Sequence, residues 1–149
     1  MSAVHIPIRP FTLGDYERAM ALWQEAEGIT LREADSRPAI ARYLRRNRGL
    51  SFVSVDRSTL VGAVLCGHDG RRGYLHHLAV APSHRGQGIG RALAQRCLAA
   101  LAREGIRKCH LFVLTGNARA RRFWQRVGWT ERDDVVLMSV AIAAGSAEP

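Results

Sequence analysis

The chain has 149 residues, 47% of them hydrophobic and 23% charged, and a net charge of +9 from 22 Lys+Arg against 13 Asp+Glu. That size and mixture fit one soluble globular domain, and no apolar run nears the roughly 18–20 residues of a membrane span. The opening MSAVHIPIRP lacks the basic-then-apolar order of a secretory signal, and Cys66, Cys97 and Cys109, with no C-x-x-C pair, support neither a disulfide framework nor a zinc site.

These observations predict a cytoplasmic protein with buried, reduced thiols and no metal. The positive surplus favours an anionic partner: nucleic acid, an acidic protein, a membrane surface or a phosphate-bearing ligand. It comes mostly from arginines spread along the chain, so solvated helix faces account for many of them.

In chain order, residues 4–9 read as a short strand ending near Pro10. Ala19, Leu22, Trp23 and Ala26 recur at helical spacing and predict a helix over Asp15–Ala26. Ser36 and Pro38 open a second helix carrying Ile40, Ala41, Tyr43 and Leu44. Leu50–Val55 and Leu60–Leu65 are β-rich runs around the turn-like DRST, a hairpin. A tight connection, His68–Gly73, leads to a strand over Tyr74–Val80, stopped by Pro82. Ile89, Leu93, Cys97, Ala100 and Leu101 make one helical stripe ending near Gly105. A strand over Lys108–Leu114, a helix over Asn117–Val127 closed by Gly128, and a last strand over Val135–Ile142 complete the order β-α-α-β-β-β-α-β-α-β. Hairpins and helical crossovers together predict an α/β fold with a mixed, mostly antiparallel central sheet. Residues 1–143 form the single expected domain, and 144–149 a frayed tail.

Between the third hairpin strand and its helix stands VAPSHRGQGIGRAL, with glycines at 86, 88 and 90 and arginines at 85 and 91. A helix N-terminus presents unpaired N–H groups and a positive dipole end, and both favour anions. Glycine allows positive φ and close backbone approach, and Arg85 and Arg91 add charge-assisted donors. A phosphate cradle and a plain glycine turn both satisfy this pattern. The dinucleotide fingerprint G-x-G-x-x-G fails because position 91 is arginine, and no Walker motif is present.

Arg85-Gly86-Gln87-Gly88-Ile89-Gly90, preceded by Leu78-Ala79-Val80-Ala81-Pro82, resembles the acetyl-CoA signature of the GCN5-related N-acetyltransferase (GNAT) superfamily, [QR]-x-x-G-x-[GA]. Asn117, Ala120, Phe123-Trp124 and Gly128-Trp129 resemble that family's second mark, N-x-x-A-x-x-F-Y-x-x-x-G-F. The resemblance implies the family fold over nearly the whole chain, with strands 4 and 5 splayed apart. It implies an enzyme that transfers the acetyl group of acetyl-CoA directly to an amine of a small molecule or protein. Backbone N–H groups from Gln87 through Arg91 would hold the pyrophosphate. Leu78, Ala79 and Val80 would lie beside the pantetheine arm, which pairs like an added strand. Asn117 would hydrogen-bond that arm, although its position also suits a helix N-cap.

The family often uses the tyrosine of the F-Y pair as general acid; Trp124 stands there, and an indole does not give up its proton usefully. The family's usual strand-4 glutamate is also missing: that strand reads Tyr74-Leu75-His76-His77-Leu78. Simple alternation sends His76 and His77 to opposite faces. Either could be the base, with a pKa suited to neutral pH, or a packed sheet residue; Tyr74 shares a face with His76 and could orient a water. The resemblance implies that the first two helices and their connection, here Glu25–Arg46, form the acceptor side. There Glu25, Glu27, Glu33 and Asp35 could hold a cationic amine or simply be solvated, and Arg32 and Arg37 leave room for an anionic one. The implied partners are acetyl-CoA and an amine acceptor, with no specific nucleic acid, no membrane, and room for a homodimer. A catalytically idle acyl-CoA-binding module is the alternative the missing tyrosine raises; a basic nucleic-acid-binding protein is the one the charge raises.

Overall fold

The computed structural model describes residues 5–144, which fall into two units, one reaching Asn117 and the other beginning at Ala118. The first unit carries a five-stranded sheet in the order β1-β2-β3-β4-β5. Its strands are β1 (Ile8–Pro10), β2 (Phe52–Asp56), β3 (Thr59–His68), β4 (Gly73–Val80) and β5 (Cys109–His110). The first three pairings are antiparallel and β4–β5 is parallel. Helices α1 (Tyr16–Glu25), α2 (Arg37–Arg46) and α3 (Ile89–Arg103) complete it.

Both faces of β3 are covered, which is why Leu60–Gly67 is a continuous buried run rather than an alternating one. On one face Ala63 and Leu65 pack with Trp23 of α1 and Ile40 of α2, each at most 3% exposed. The other face receives the α3 stripe of Ile89, Leu93, Cys97 and Leu101, all buried. The expected start of α2 is present: Ser36 caps it, accepting a hydrogen bond from Ala39 N at 3.3 Å, with Pro38 in its first turn. Asp15, 1% exposed, ties β1 to the start of α1. Its carboxylate accepts two bonds from Arg9, at 2.7 and 2.8 Å, and one from Arg18 at 2.8 Å. Burial alone would raise the Asp15 pKa; the Arg9 pair and the Thr12 N–H outweigh it and hold the carboxyl at about 2.

Two expected strands differ. The run Lys108–Leu114 forms a ladder only at Cys109–His110, because β4 accompanies it no further than Tyr74↔His110. In the second unit, α4 (Ala118–Arg126) forms where the 3.6-residue spacing places it. The expected final strand Val135–Ile142 is absent among the described residues: these residues join no ladder, and Val136, Met138, Val140 and Ile142 are 85–92% exposed. A strand exists only where its N–H and C=O groups find partners, and β propensity does not supply them. Residue 144, where the expected tail begins, is exposed coil, and 145–149 lie outside the described residues.

Candidate active site

The strand carrying the two histidines does not alternate regularly. Ala63 pairs with Ala79 and Leu65 with His76, so β4 spends one extra residue opposite β3, and His77 takes a left-handed φ of 57°. This bulge corrects the expectation that His76 and His77 face opposite sides. Both reach the α1–α2 side: His77 lies 5.2 Å from the Trp23 ring and His76 lies 6.5 Å from Tyr43, edge to face. A non-glycine residue in this conformation is strained, and strain of this kind gathers at functional sites.

The strained residue is held from outside the sheet. His77 Nε2 lies 2.8 Å from Asp35 Oδ1, in the turn before α2. The other Asp35 oxygen accepts the Arg32 N–H at 3.0 Å, and the Tyr16 hydroxyl donates to the Asp35 carbonyl at 2.6 Å. Asp35 is 7% exposed. It is therefore not the solvent-facing acceptor carboxylate that the sequence left open; Glu25, Glu27 and Glu33 are exposed.

Among the described residues, His76 has no such partner. Its half-buried ring has a pKa below the ordinary value of 6.5, first because burial penalises the imidazolium and second because His77 is near; Asp35 pulls weakly the other way. Tyr74 and His76 share a face as expected, their rings inclined by only 9°. Phe112 joins them. The three ring centroids lie 6.4–6.5 Å apart pairwise with interplanar angles of 9–22°, and His110 tilts against Tyr74 at 5.6 Å. Sequence reading missed Phe112 and His110; the signal was their two-residue spacing after Lys108.

These rings stand at a fork. The parallel ladder stops at Tyr74↔His110, while β4 continues through Leu78 and Ala79 to Val80. The fork opens toward the end of β4 that leads into the glycine turn. There Gly86 and Gly88 have φ of 78° and 83°, and among the described residues no heavy atom beyond the adjoining backbone lies within 4 Å of where either would carry a Cβ. Gly88 caps α3, a 15-residue helix, so Ile89, Gly90 and Arg91 form its first turn. Arg85 and Gln87 are exposed beside it, and the Arg85 guanidinium also donates to the Val80 carbonyl at 3.3 Å. The preceding turn is pinned to the end of β2: His84 Nε2 lies 2.8 Å from Asp56 Oδ2, and Ser83 Oγ lies 2.8 Å from His84 Nδ1.

Asn117 sits over the loop that follows α1. A Cβ on Gly28, whose φ is 83°, would come within 2.5 Å of the Asn117 side-chain nitrogen, so only glycine permits this approach. In the second unit, Trp124 packs on Phe123 at 5.0 Å and Trp129 at 5.1 Å, both edge to face. All three cysteines are free, as the sequence suggested, but only Cys66 and Cys97 are buried. Cys109 is half-buried, and burial still pushes its thiol up to about 12.

Residues 16–129 match the Acetyltransferase (GNAT) family model. An acetyltransferase of Sodalis glossinidius is 31% identical over 131 residues, covering 88% of this chain and 92% of the relative. One of Pectobacterium atrosepticum is 32% identical over 130 residues, covering 87% and 92%. Among solved structures, PaiA N-acetyltransferase from Thermoplasma acidophilum in complex with coenzyme A superposes with a TM-score of 0.76 at 22% identity, over 87% of this chain and 92% of that one. AAC(6')-Iy in complex with a bisubstrate analogue gives 0.74 at 17% identity, over 93% and 100%. At these identities the two structures speak to the fold, an α/β architecture with a mixed five-stranded sheet and a parallel β4–β5 pair. The chain belongs to the GNAT acetyltransferase family and is an acetyl-CoA-dependent N-acetyltransferase.

Proposed function

We propose that the fork between β4 and β5 receives the pantetheine arm of acetyl-CoA and that the glycine turn holds its pyrophosphate. The observation that carries this reading is the alignment of the two: a ladder that stops at Tyr74↔His110 opens toward an unobstructed, left-handed glycine turn at the N-terminus of a long helix. In this reading the N–H groups of Gln87 through Arg91 and the Arg85 guanidinium bind the phosphates. Leu78, Ala79 and Val80 offer backbone groups to the arm, and Asn117 offers its side-chain amide.

Acetyl-CoA supplies an activated acetyl thioester. His76 takes a proton from the acceptor amine, directly or through a water oriented by Tyr74, so that the nitrogen lone pair can attack the carbonyl carbon. A backbone N–H of the bulge steadies the oxyanion. The C–S bond then breaks, and the departing thiolate, of ordinary pKa near 8.5, needs little help from Trp124. His77 acts through Asp35 as a positioning residue that holds the bulge and aims His76. Choosing His76 over His77 rests on partners: the His77 ring nitrogen is already engaged, and His76 is kept neutral by burial.

His76→Ala should lower kcat/KM about a hundredfold and leave acetyl-CoA binding intact. The wild-type profile should have an acidic limb below pH 6.5, because protonation removes the base and His76 resists it. Near-normal rates with an unmoved limb would reassign the histidine to structure.

The reading further places the protein in the cytoplasm, consistent with three free cysteines, and directs its positive charge to coenzyme A phosphates rather than to specific nucleic acid or a membrane. Among the described residues, no helix is long and apolar enough to cross a membrane. The reading leaves room for a homodimer; sedimentation as a monomer at micromolar concentration would refute one.

A further inference from the structure

Resting on the assignment of the pyrophosphate to the glycine turn, we infer that Asp56, Ser83 and His84 are positioning residues for acetyl-CoA, which tie that turn to the β2–β3 hairpin before the ligand arrives. The need for a tie follows from the turn itself. Glycines at 86, 88 and 90 give its backbone more freedom than other residues would, and Gly86 and Gly88 both stand in the left-handed region. Ordering such a segment only on binding would take its cost out of the affinity; a segment already ordered by the fold avoids that loss.

The tie lies just ahead of the glycines. An ionised carboxylate only accepts hydrogen bonds, so His84 Nε2 carries the proton it donates to Asp56 Oδ2, at 2.8 Å. On the neutral ring Nδ1 is then an acceptor, and the Ser83 hydroxyl donates to it, also at 2.8 Å. Both ring nitrogens are engaged. One chain of donors thus runs from the short turn Pro82–His84 to Asp56, the last residue of β2.

The far end of that chain is itself fixed. Asp56 pairs with Thr59 across a two-residue connection in which Arg57 is left-handed, at φ 60°. A non-glycine residue keeps that conformation only where its surroundings impose it. The Ser58 carbonyl accepts from Arg18 of α1 at 3.3 Å. The β2–β3 register slips by one between Ser54↔Gly62 and Val55↔Leu60, a bulge at Val61. The Val61 carbonyl accepts the Ala81 N–H at 2.8 Å, so the hairpin holds the chain both before and after Pro82. The next residue seats the helix: a Cβ on Gly62 would come within 2.9 Å of Leu93 and 3.1 Å of Ile89, at the start of α3. One hairpin therefore fixes both the turn and the helix end that follows it. Asp56 is also an anion at the end of the sheet where the phosphates are to bind, and by charge alone it opposes them. Removing it therefore separates the two roles by sign.

The test compares the dissociation constants of coenzyme A and of pantetheine, the same arm without the phosphates. The proteins are the wild type, Asp56→Ala, His84→Ala and the double variant. Each single variant should weaken coenzyme A about tenfold, or about 1.4 kcal/mol, and leave pantetheine unchanged. The double variant should be no weaker than the weaker single one, because the same chain is broken once. Ser83→Ala, which frees one ring nitrogen, should show a smaller loss of the same kind. The His84 and Asp56 side chains are 20% and 37% exposed, so truncation spares the core, and the ligand-free midpoint of each variant reports that it is folded.

Coenzyme A affinity unchanged in both single variants, or raised in Asp56→Ala, would overturn the inference. So would equal weakening of the two ligands, the mark of general damage, or additive losses in the double variant. A wild type that binds coenzyme A no more tightly than pantetheine, or binding indifferent to Gly88→Val, would overturn the assignment of the pyrophosphate to this turn, and this inference with it.

Discussion

Gly88→Val separates two effects that the structure places at one residue. Gly88 is left-handed, with φ 83° and ψ 8°, and open space surrounds the position its Cβ would take. The variant therefore suffers no clash within the free protein. Its penalty is the left-handed backbone, about 1–2 kcal/mol for a residue with a Cβ, which at roughly 2–4 °C per kcal/mol lowers the midpoint by about 2–8 °C. The second effect is on the ligand. Acetyl-CoA at a hundred times its Kd should stabilise the wild type by about 2.7 kcal/mol, a rise of about 5–11 °C. With isopropyl bulk where the pyrophosphate approaches, most of that rise should vanish. Gly105 supplies the control: it is also left-handed, at 81°, and unobstructed, but it lies just past the other end of α3. Gly105→Val should lose a similar few degrees by itself and keep the full acetyl-CoA rise. The assay is thermal unfolding of wild type and both variants with and without acetyl-CoA, each measured against its own ligand-free midpoint. A Gly88→Val rise equal to that of the wild type would refute the assignment of the pyrophosphate to this turn.

Two further predictions concern stability. Asp15 titrates at about 2 in the fold against 3.8 ordinarily, so its ion pairs contribute about 2 kcal/mol. That contribution is complete above pH 4 and disappears as pH falls toward 2; Asp15→Asn should lower the midpoint at pH 7 by about 4–8 °C and flatten this acid dependence, and an unchanged midpoint would contradict it. The Tyr43 hydroxyl is buried with no hydrogen-bond partner among the described residues, and burial pushes its pKa upward. Tyr43→Phe removes an unsatisfied group and should be neutral or stabilising by up to about 1 kcal/mol; a loss of stability on urea unfolding would show that the hydroxyl has a partner.

What the sequence made legible was what depends on local rules. The apolar stripe of α3, the Ser36 cap and the glycine turn follow from spacing and backbone chemistry, and each stands where that reasoning put it. What it hid depends on partners far along the chain. One extra residue in β4 reverses the face on which every later side chain lies, and nothing in Tyr-Leu-His-His-Leu marks that insertion. The bulge brings His77 to Asp35, 42 positions away, and so turns a candidate acceptor carboxylate into a structural one. The segment from Lys108 to Leu114 has the composition of a strand, but its length is decided by where β4 leaves it. Val135–Ile142 is equally β-prone and joins no ladder among the described residues, for propensity describes a residue's fitness for a sheet and not the presence of a neighbour.

The central claim, that this chain moves an acetyl group from coenzyme A to an amine, is tested most directly by following isotope-labelled acetyl-CoA with a panel of aliphatic, aromatic and polycationic amines by mass spectrometry while titrating released thiol. The account predicts one labelled amide for each thiol, with both products falling together about a hundredfold in His76→Ala. Thiol release without labelled amide, or acetyl-CoA that binds and is never consumed, would contradict it.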